Sequence, residues 1–277
     1  SDDAQSLDSL AYNAPYYLIV KSAGNNRSEN GPAVGQPYFR YNSSNQMTSA
    51  GNRPDSISSN DSYGSITWDC NAKNILTVGA VQGITSGYNR PNDVVMARFS
   101  SWGPTDDGRI KPDIVADGIN VLSSIASSNS SYATYSGTSM ASPNAAGSLF
   151  LLQEYFSKLK NNATAFMRSA TLKGLAIHTA EEAGGSPGPD YSFGWGLLNV
   201  EKAAAVMTAA IPGNNSTASD HLLYENVLNN GASFTTTVVS SGKSPLKATI
   251  CWTDVKGTVD NVNVLNNPAK KLVNDLD

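Results

Sequence analysis

Short, nearly continuous apolar runs recur in the first half of the chain, and polar residues follow each of them. The clearest runs cover residues 16–20 and 75–81, where Leu, Ile and Val recur. Strict alternation would indicate a strand with one wet face, whereas a continuous run of this length is typical of a strand covered on both faces. The pattern therefore predicts parallel strands that lie buried between layers of helices.

Helical periodicity marks several other stretches. Residues 3–11 have apolar side chains at helical spacing, and the sequence Asn-Ala-Pro at 13–15 ends that helix. Residues 139–159 combine a small-residue face with an apolar face, as in a helix that is buried from most sides. Two further helices are predicted over residues 165–179 and 200–209.

The remaining stretches predict loops and a change of domain. Residues 26–65 are rich in Asn, Ser, Gly and Pro and have little periodicity, so we expect a long surface excursion. After residue 212 the pattern changes, and strands are expected over residues 233–239 and 246–252. We therefore divide the chain into residues 1–212 and residues 213–277.

Composition narrows the possible partners. The formal net charge is −4 without a Lys/Arg cluster, which argues against nucleic acid or an anionic membrane and favours peptides or small molecules. No apolar run approaches the roughly 20 residues that span a bilayer. The opening Ser1, Asp2 and Asp3 do not resemble a targeting segment, so we expect a mature or excised soluble piece. Cys70 and Cys251 lack metal-ligand spacing and are expected to be unpaired, mostly buried thiols.

Residues 137–143 read Gly-Thr-Ser-Met-Ala-Ser-Pro and carry the strongest chemical signal. A serine hydroxyl is a poor nucleophile near neutral pH, so an enzyme must expose it and aim fixed dipoles at the charge that forms. Gly137 allows close backbone approach, and Pro143 is expected in the first turn of the following helix. Ser139 would then stand at a helix N-terminus, where its N–H is unpaired and the dipole favours negative charge. For a shorter match, a loop that merely caps a helix would be the simpler interpretation.

The same seven residues resemble the nucleophile signature of the subtilisin-like serine proteases. Residues 99–104, 111–118 and 193–199 resemble further segments of that family, and the end of the chain resembles half of the β-sandwich that follows the protease domain in some secreted alkaline members. The resemblance implies an α/β fold with a three-layer parallel sheet, the C-terminal two-thirds of a peptidase domain, followed by the start of an antiparallel β-sandwich. It also implies a secreted serine endopeptidase that forms an acyl-enzyme on Ser139.

Residues 22–25, Ser-Ala-Gly-Asn, follow the first apolar run. Ligands gather at the carboxyl ends of parallel strands, so Asn25 stands where a site is expected. In the family that this segment resembles, the amide of such an Asn donates to the oxyanion, and the N–H of Ser139 and the hydroxyl of Thr138 are its expected companions. The resemblance also implies one wall of the substrate pocket, formed by Ser22, Ala23 and Gly24.

The chain has no histidine before Ser139, and its two histidines are His178 and His221. A serine protease needs a histidine to take the hydroxyl proton and an aspartate to hold that ring in the right tautomer. In this family both precede the serine, so we expect them upstream of this chain, on a companion N-terminal segment. Alone, the chain is expected to be nearly inactive, and a sheet without that segment would expose an apolar edge.

Two other functions stay open from the sequence. Residues 137–141 approximate the nucleophile elbow of α/β-hydrolases, with Asp190 and His221 following in the order of an esterase triad. That elbow requires a buried strand immediately before it, and residues 130–135 do not read as one. The other alternative is a catalytically inactive, protease-like binding scaffold. The chemistry requires no cofactor; Asp55 and Asp61 offer a structural calcium site, with a solvated loop as the simpler interpretation.

Overall fold

A computed structural model describes residues 1–28, 31–42, 44, 46–54, 63–211, 222–239, 242, 245–259 and 267–275. In chain order its α-helices and strands are α1 (Asp2–Asn13), β1 (Val20–Ser22), β2 (Pro37–Tyr41), β3 (Met47–Asn52), β4 (Leu76–Val81), β5 (Ile114–Asp117), β6 (Val121–Ser124), β7 (Tyr132–Tyr135), α2 (Thr138–Leu159), α3 (Ser169–Thr179) and α4 (Val200–Ala210). Short 3-10 helices lie at Trp68–Asn71 and Pro91–Asp93. The four helices predicted from periodicity are therefore present.

The central sheet is parallel, in the strand order β1-β4-β5. Val78 of β4 lies opposite Ser22 of β1 and Ile114 of β5. Every residue of β4 is buried, as the apolar run at 75–81 predicts. Leu197 forms an isolated parallel bridge to Val115 and extends the ladder beyond β5. Because the strands are parallel, their carboxyl ends meet at one edge of the sheet, where sites in such folds are found.

Helix α2 packs across all three strands of this sheet. Its buried side chains recur at helical spacing and are mainly Ala141, Ala145, Leu149, Leu152 and Phe156. α3 begins at Ser169, later than predicted, because Gln153 of α2 binds the chain just before it. The Gln153 side chain accepts from the Met167 N–H at 2.8 Å and donates to the Met167 carbonyl at 2.9 Å. These bonds satisfy the backbone N–H and carbonyl of Met167, so this residue needs no helical hydrogen bonds.

The apolar run at 16–20 differs from its prediction. Only Val20 of this run belongs to β1, and Tyr16 and Tyr17 are 56% and 58% exposed. The backbone turns here, with the Tyr17 N–H donating to the Ala14 carbonyl. Among the described residues β1 has a strand partner on one side only. The prediction of a strand covered on both faces is wrong for this run, because the backbone turns at Tyr16 and Tyr17 and only Val20 enters the sheet.

The surface excursion at 26–65 contains a hairpin, β2–β3, that the sequence did not predict. Phe39 and Met47 of this hairpin are 62% and 61% exposed, so it has little buried face. Strands without a buried face lack the alternation by which strands are recognised. Asp55 and Asp61, the candidate calcium ligands, lie outside the described residues.

The described residues after 221 form no strand, so the strands predicted at 233–239 and 246–252, and with them the start of a β-sandwich, are not present there. Two or three short segments do not bury a sheet face on their own. Residues in this part of the chain instead bind the residues that precede it: Lys247 Nζ donates to the His178 carbonyl at 2.6 Å, and Gln5 Nε2 donates to the Gly257 carbonyl at 2.8 Å. The predicted domain boundary at 212 lies outside the described residues.

A buried ion pair fastens residues 245–259 and 267–275, here called the C-terminal strap, to the residues that precede β4. Lys73 Nζ lies 2.5 Å from Asp254 Oδ2, and their side chains are 6% and 2% exposed. Lys73 Nζ also donates to the Lys271 carbonyl at 2.8 Å. The Asp254 carboxylate accepts further hydrogen bonds from residues 273–274. Burial raises the pKa of Asp254, but Lys73 and these donors outweigh burial and hold that pKa below its ordinary value.

A second buried charge cluster lies at the amino end of the sheet. Lys111 Nζ is 2.6 Å from Asp113 Oδ2, and Lys173 Nζ is 2.9 Å from Asp113 Oδ1. Burial lowers the pKa of Lys111 to about 8, and the neighbouring Asp113 charge opposes that fall. Paired buried charge thus occupies the edge opposite the carboxyl ends of the strands.

Replacing Asp254 with asparagine is expected to lower the free energy of unfolding by about 3 kcal/mol, because the Lys73 ammonium stays buried without its counter-charge. The folded pKa of Asp254 lies below its unfolded value, so its stabilisation is present above about pH 4 and is lost as pH falls through the folded pKa. As the pH falls from about 5 to about 2, the free energy of unfolding should therefore decrease less in the variant than in the parent. Chemical denaturation across this range measures both effects.

The matched control for this prediction is Glu154→Gln, which removes the exposed pair between Glu154 and Lys158 on α2. That change should cost under about 0.5 kcal/mol, because water screens exposed pairs. Equal losses for the two variants would contradict the strap's dependence on its buried pair.

Candidate active site

The loop after β1 meets the N-terminus of α2 at the carboxyl edge of the sheet. The Asn25 side chain accepts two hydrogen bonds from Thr138, from its backbone N–H at 2.9 Å and from its hydroxyl at 2.9 Å. Because a backbone N–H only donates, its partner is Oδ1, which leaves Nδ2 of Asn25 turned away from Thr138. The Gly24 N–H completes the contact by donating to Thr138 Oγ1 at 3.2 Å. The structure therefore brings Asn25 and the 137–143 stretch together.

A small space, wide enough for a methyl group, lies beside Gly137. A methyl carbon placed on Gly137 would lie 3.5 Å from Asn25 Nδ2, 3.5 Å from Met140 Sδ and 3.6 Å from the Ser139 backbone nitrogen. Both nitrogens carry N–H donors and border the same space. An anionic oxygen that enters this space can accept from both, which is how serine hydrolases stabilise the charge of a tetrahedral intermediate.

Ser139 is the second residue of α2 and is exposed. The N–H groups of Met140 and Ala141 donate to the Gly137 carbonyl, and the N–H of Thr138 donates to Asn25. Among the described residues, the Ser139 N–H has no acceptor. It is one of the unpaired donors at a helix start, where the helix dipole favours negative charge.

The position of Pro143 corrects one expectation. Pro143 lies inside α2, beyond the first turn, because the helix already begins at Thr138. The helix starts this early since the Thr138 N–H finds its acceptor in Asn25. Proline has no N–H to donate to the carbonyl four residues earlier, so Pro143 leaves the Ser139 carbonyl without its helical partner.

The Thr138 hydroxyl differs from its expected role as a direct oxyanion donor. Its hydrogen is directed to Asn25 Oδ1, and Thr138 is 1% exposed. A hydroxyl has one hydrogen to donate, so the same hydrogen does not also point into the space beside Gly137. Thr138 instead holds the Asn25 amide in place.

The three residues expected to line a substrate pocket lie against the chain around Thr67. The Ala23 carbonyl accepts from the Thr67 N–H at 3.3 Å, and the Ser22 carbonyl accepts from the thiol of Cys70 at 2.9 Å. Gly24 has φ +111°, and a methyl carbon there would lie 2.9 Å from Thr67 Cγ2, so only glycine fits. A neighbouring open cavity of about 340 Å³ is lined by residues that include Asn26 but none of the three.

The esterase alternative meets a different local structure. Asp190 Oδ1 accepts from the backbone N–H groups of Ser192 and Phe193, both at 2.7 Å, so this carboxylate closes a turn. His221 lies outside the described residues. The residues before the serine form a strand, β7, but it is a largely exposed antiparallel partner of β6 and not the buried strand of an elbow, in agreement with the sequence interpretation. A nucleophile elbow needs a buried strand there.

Other titratable groups have local partners. His178 lies near the end of α3, with Nδ1 3.0 Å from Thr249 Oγ1 of the strap. Cys70 and Cys251 form no disulfide bond, as predicted, and burial raises the pKa of Cys70 to about 11.

The described residues contain no group of three or more His, Cys, Asp or Glu side chains arranged to hold a metal ion. They also contain no helix that combines the length and the apolarity needed to cross a bilayer.

The exposed Ser139 thus lies at a helix start, beside its own N–H and the amide of Asn25, at the carboxyl edge of a parallel sheet. Residues 1–196 match the model of the subtilase family, Peptidase_S8, and the chain belongs to this family of serine peptidases.

Several named relatives are similar to parts of the chain. The C5a peptidase of Streptococcus pyogenes is 37% identical over 134 residues, covering 46% of this chain and 11% of that protein. The PII-type proteinase of Lactococcus lactis subsp. cremoris is 42% identical over 82 residues, covering 30% of this chain and 4% of that protein. The chain thus spans about a tenth or less of the length of these relatives.

Solved structures of proteases also resemble the chain. The CspB protease of Clostridium perfringens has a TM-score of 0.45 and 25% identity, covering 60% of this chain and 32% of that one. The self-cleaved protease domain of PatA has a TM-score of 0.47 and 19% identity, covering 73% of this chain and 54% of that one.

Proposed function

We propose that the chain carries the nucleophile and the oxyanion site of a serine endopeptidase. Ser139 Oγ attacks the carbonyl carbon of a substrate peptide bond, and the negative charge that develops on the carbonyl oxygen is held by the Ser139 N–H and the Asn25 amide. One observation carries the proposal: both nitrogens border the space beside Gly137, at 3.5 Å and 3.6 Å from one point.

The proposed reaction proceeds through an acyl-enzyme. The serine proton passes to a base, the Ser139 ester forms, and the peptide bond breaks with the proton going to the leaving amine. A water molecule, activated by the same base, then hydrolyses the ester and releases the carboxylic acid. The two N–H donors act in both halves because each passes through a tetrahedral oxyanion. This chemistry requires no cofactor.

The base is proposed to come from a companion segment that carries the Asp and His of the triad. No histidine precedes Ser139 in this chain, and the ring of His178 contacts the strap. Two exposed apolar side chains of α2, Phe150 at 73% and Leu151 at 62%, offer a surface for such a segment. The side of β1 that lacks a strand partner among the described residues offers hydrogen bonds. We call the protein with this segment the complete enzyme.

Several finer properties belong to the same proposal. Peptides or proteins are the proposed substrates, and a secreted location is proposed from the resemblance of the 137–143 stretch and its neighbouring blocks. A calcium ion bound near Asp55 and Asp61 would be structural, since it takes no part in the reaction. A protease-like scaffold without activity is the alternative that the following experiment tests.

The experiment that tests the proposal is covalent labelling of the complete enzyme with a fluorophosphonate, followed by peptide mapping. The reagent phosphonylates an activated serine, so the label is expected on Ser139 and should be blocked by a competing peptide substrate. Denatured enzyme is the control for labelling that needs no folded site. Label on another serine, or none in an enzyme that cleaves peptides, would contradict the assignment of Ser139.

A further inference from the structure

We propose that Ser101 is a positioning residue for Asn25, an inference that rests on the proposed function. Ser101 is completely buried and lies beneath the loop that carries Asn25. Its backbone N–H donates to the Gly24 carbonyl at 2.9 Å, and its hydroxyl oxygen accepts from the Asn26 N–H at 3.0 Å. One serine therefore holds the residues on both sides of Asn25.

Asn25 depends on such support because its own side chain is exposed. Two hydrogen bonds from Thr138 direct the Asn25 amide, but they fix it only if the backbone beneath it is also fixed. The neighbouring bond from the Arg27 N–H to the Phe99 carbonyl, at 3.3 Å, is longer. Ser101 thus supplies two bonds to the residues that flank Asn25, and the Arg27 side chain adds one bond from its Nε to the Arg98 carbonyl at 2.8 Å.

The position of the Asn25 amide sets its contribution to catalysis. An oxyanion donor acts only when it already points at the place where charge will develop, so a loop that drifts weakens the transition state more than the bound substrate. Removing the Ser101 hydroxyl abolishes the hydrogen bond from the Asn26 N–H and loosens one side of the loop. The expected signature is a fall in kcat with little change in KM.

The chain offers a matched control in the adjacent residue. Ser100 is also completely buried, and its hydroxyl oxygen accepts from the Ala80 N–H of β4 at 3.0 Å. Ser100→Ala therefore removes the same kind of bond from an equally buried serine, but the bond it removes holds the strand and not the Asn25 loop. A general loss of packing or stability affects both variants alike.

In the complete enzyme, Ser101→Ala is expected to lower kcat about tenfold, a smaller loss than a full 1 Å misplacement produces. KM should change less than about twofold, and Ser100→Ala should leave kcat within about twofold of the parent. If Ser101→Ala does not fold, Ser101→Cys, which keeps a weak acceptor, carries the same test with a smaller fall in kcat. Equal kcat values for the alanine variants at Ser100 and Ser101 would overturn the inference.

A double-mutant cycle separates this inference from the proposed function. If Ser101 acts through Asn25, adding Ser101→Ala to Asn25→Ala should lower kcat by less than about twofold. A full tenfold further loss would assign Ser101 a role independent of Asn25 and overturn the inference alone. If Asn25→Ala by itself leaves kcat unchanged, the oxyanion site of the proposed function fails instead.

Discussion

Replacing Ser139 with alanine in the complete enzyme is expected to lower kcat for peptide hydrolysis about a millionfold, the loss established for subtilisin, a member of this same family. The alanine has no oxygen to attack the carbonyl carbon, so the acyl-enzyme cannot form. The two N–H donors remain, and about a thousandfold acceleration over water should persist from them and from binding. Initial rates on a fluorogenic peptide, with KM measured separately, test the expectation.

Ser142→Ala is the control for this experiment. Ser142 lies on the same helix, one turn after Ser139, and is half-buried. Its replacement removes an identical hydroxyl without touching the space beside Gly137, so kcat should stay within about twofold of the parent. If Ser139→Ala kept more than a hundredth of the parent activity, Ser139 would not be the nucleophile.

Replacing Asn25 with alanine is expected to lower kcat on the order of a hundredfold to a thousandfold, a range known from the corresponding change in subtilisin. The change removes one of the two donors that border the space beside Gly137. The substrate carbonyl carries little charge before attack, so KM should change far less than kcat. Steady-state kinetics on the same peptide separates the two parameters.

The control for Asn25 is Asn89→Ala. Asn89 is also exposed, and its side-chain amide donates to the Gly87 carbonyl at 3.2 Å in a surface turn. Its removal should leave both kcat and KM unchanged. If Asn25→Ala raises KM and leaves kcat unchanged, Asn25 contributes to substrate binding and not to charge stabilisation.

The sequence predicts the elements whose burial leaves a clear pattern of apolar residues. β4 is an apolar run of strand length with every residue buried, and α2 repeats buried residues at helical spacing. Such patterns survive in the sequence because burial imposes them. The hairpin β2–β3 has little buried face, so its sequence lacks the pattern that would predict it.

The candidate site was predictable only in part. Asn25 follows a strand and Ser139 begins a helix, so the sequence places both at one edge of a parallel sheet. The role of Thr138 depends on where one hydroxyl hydrogen points, and Ser101 reaches Asn26 across 75 positions of sequence. Single hydrogen bonds between distant residues leave no periodic trace, so only the folded chain reveals them.

Near the end of the chain, the sequence predicts a strand that the structure does not contain. Residues 246–252 have the composition of a strand, but local propensity yields to the partners available. Asp254, close to that segment, pairs with Lys73, and this buried pair joins the strap to the residues before β4. The composition of the segment contains no sign of this pairing.

The most direct measurement of the central claim is a crystal structure of the complete enzyme with a peptidyl boronic acid, whose tetrahedral boron imitates the intermediate. The account predicts a bond from Ser139 Oγ to boron. It also predicts one boronate oxygen within about 2.7–3.1 Å of both the Ser139 nitrogen and Asn25 Nδ2. A boronate bound to another residue, or one whose oxygens both lie beyond hydrogen-bond distance of Asn25 Nδ2, would contradict it.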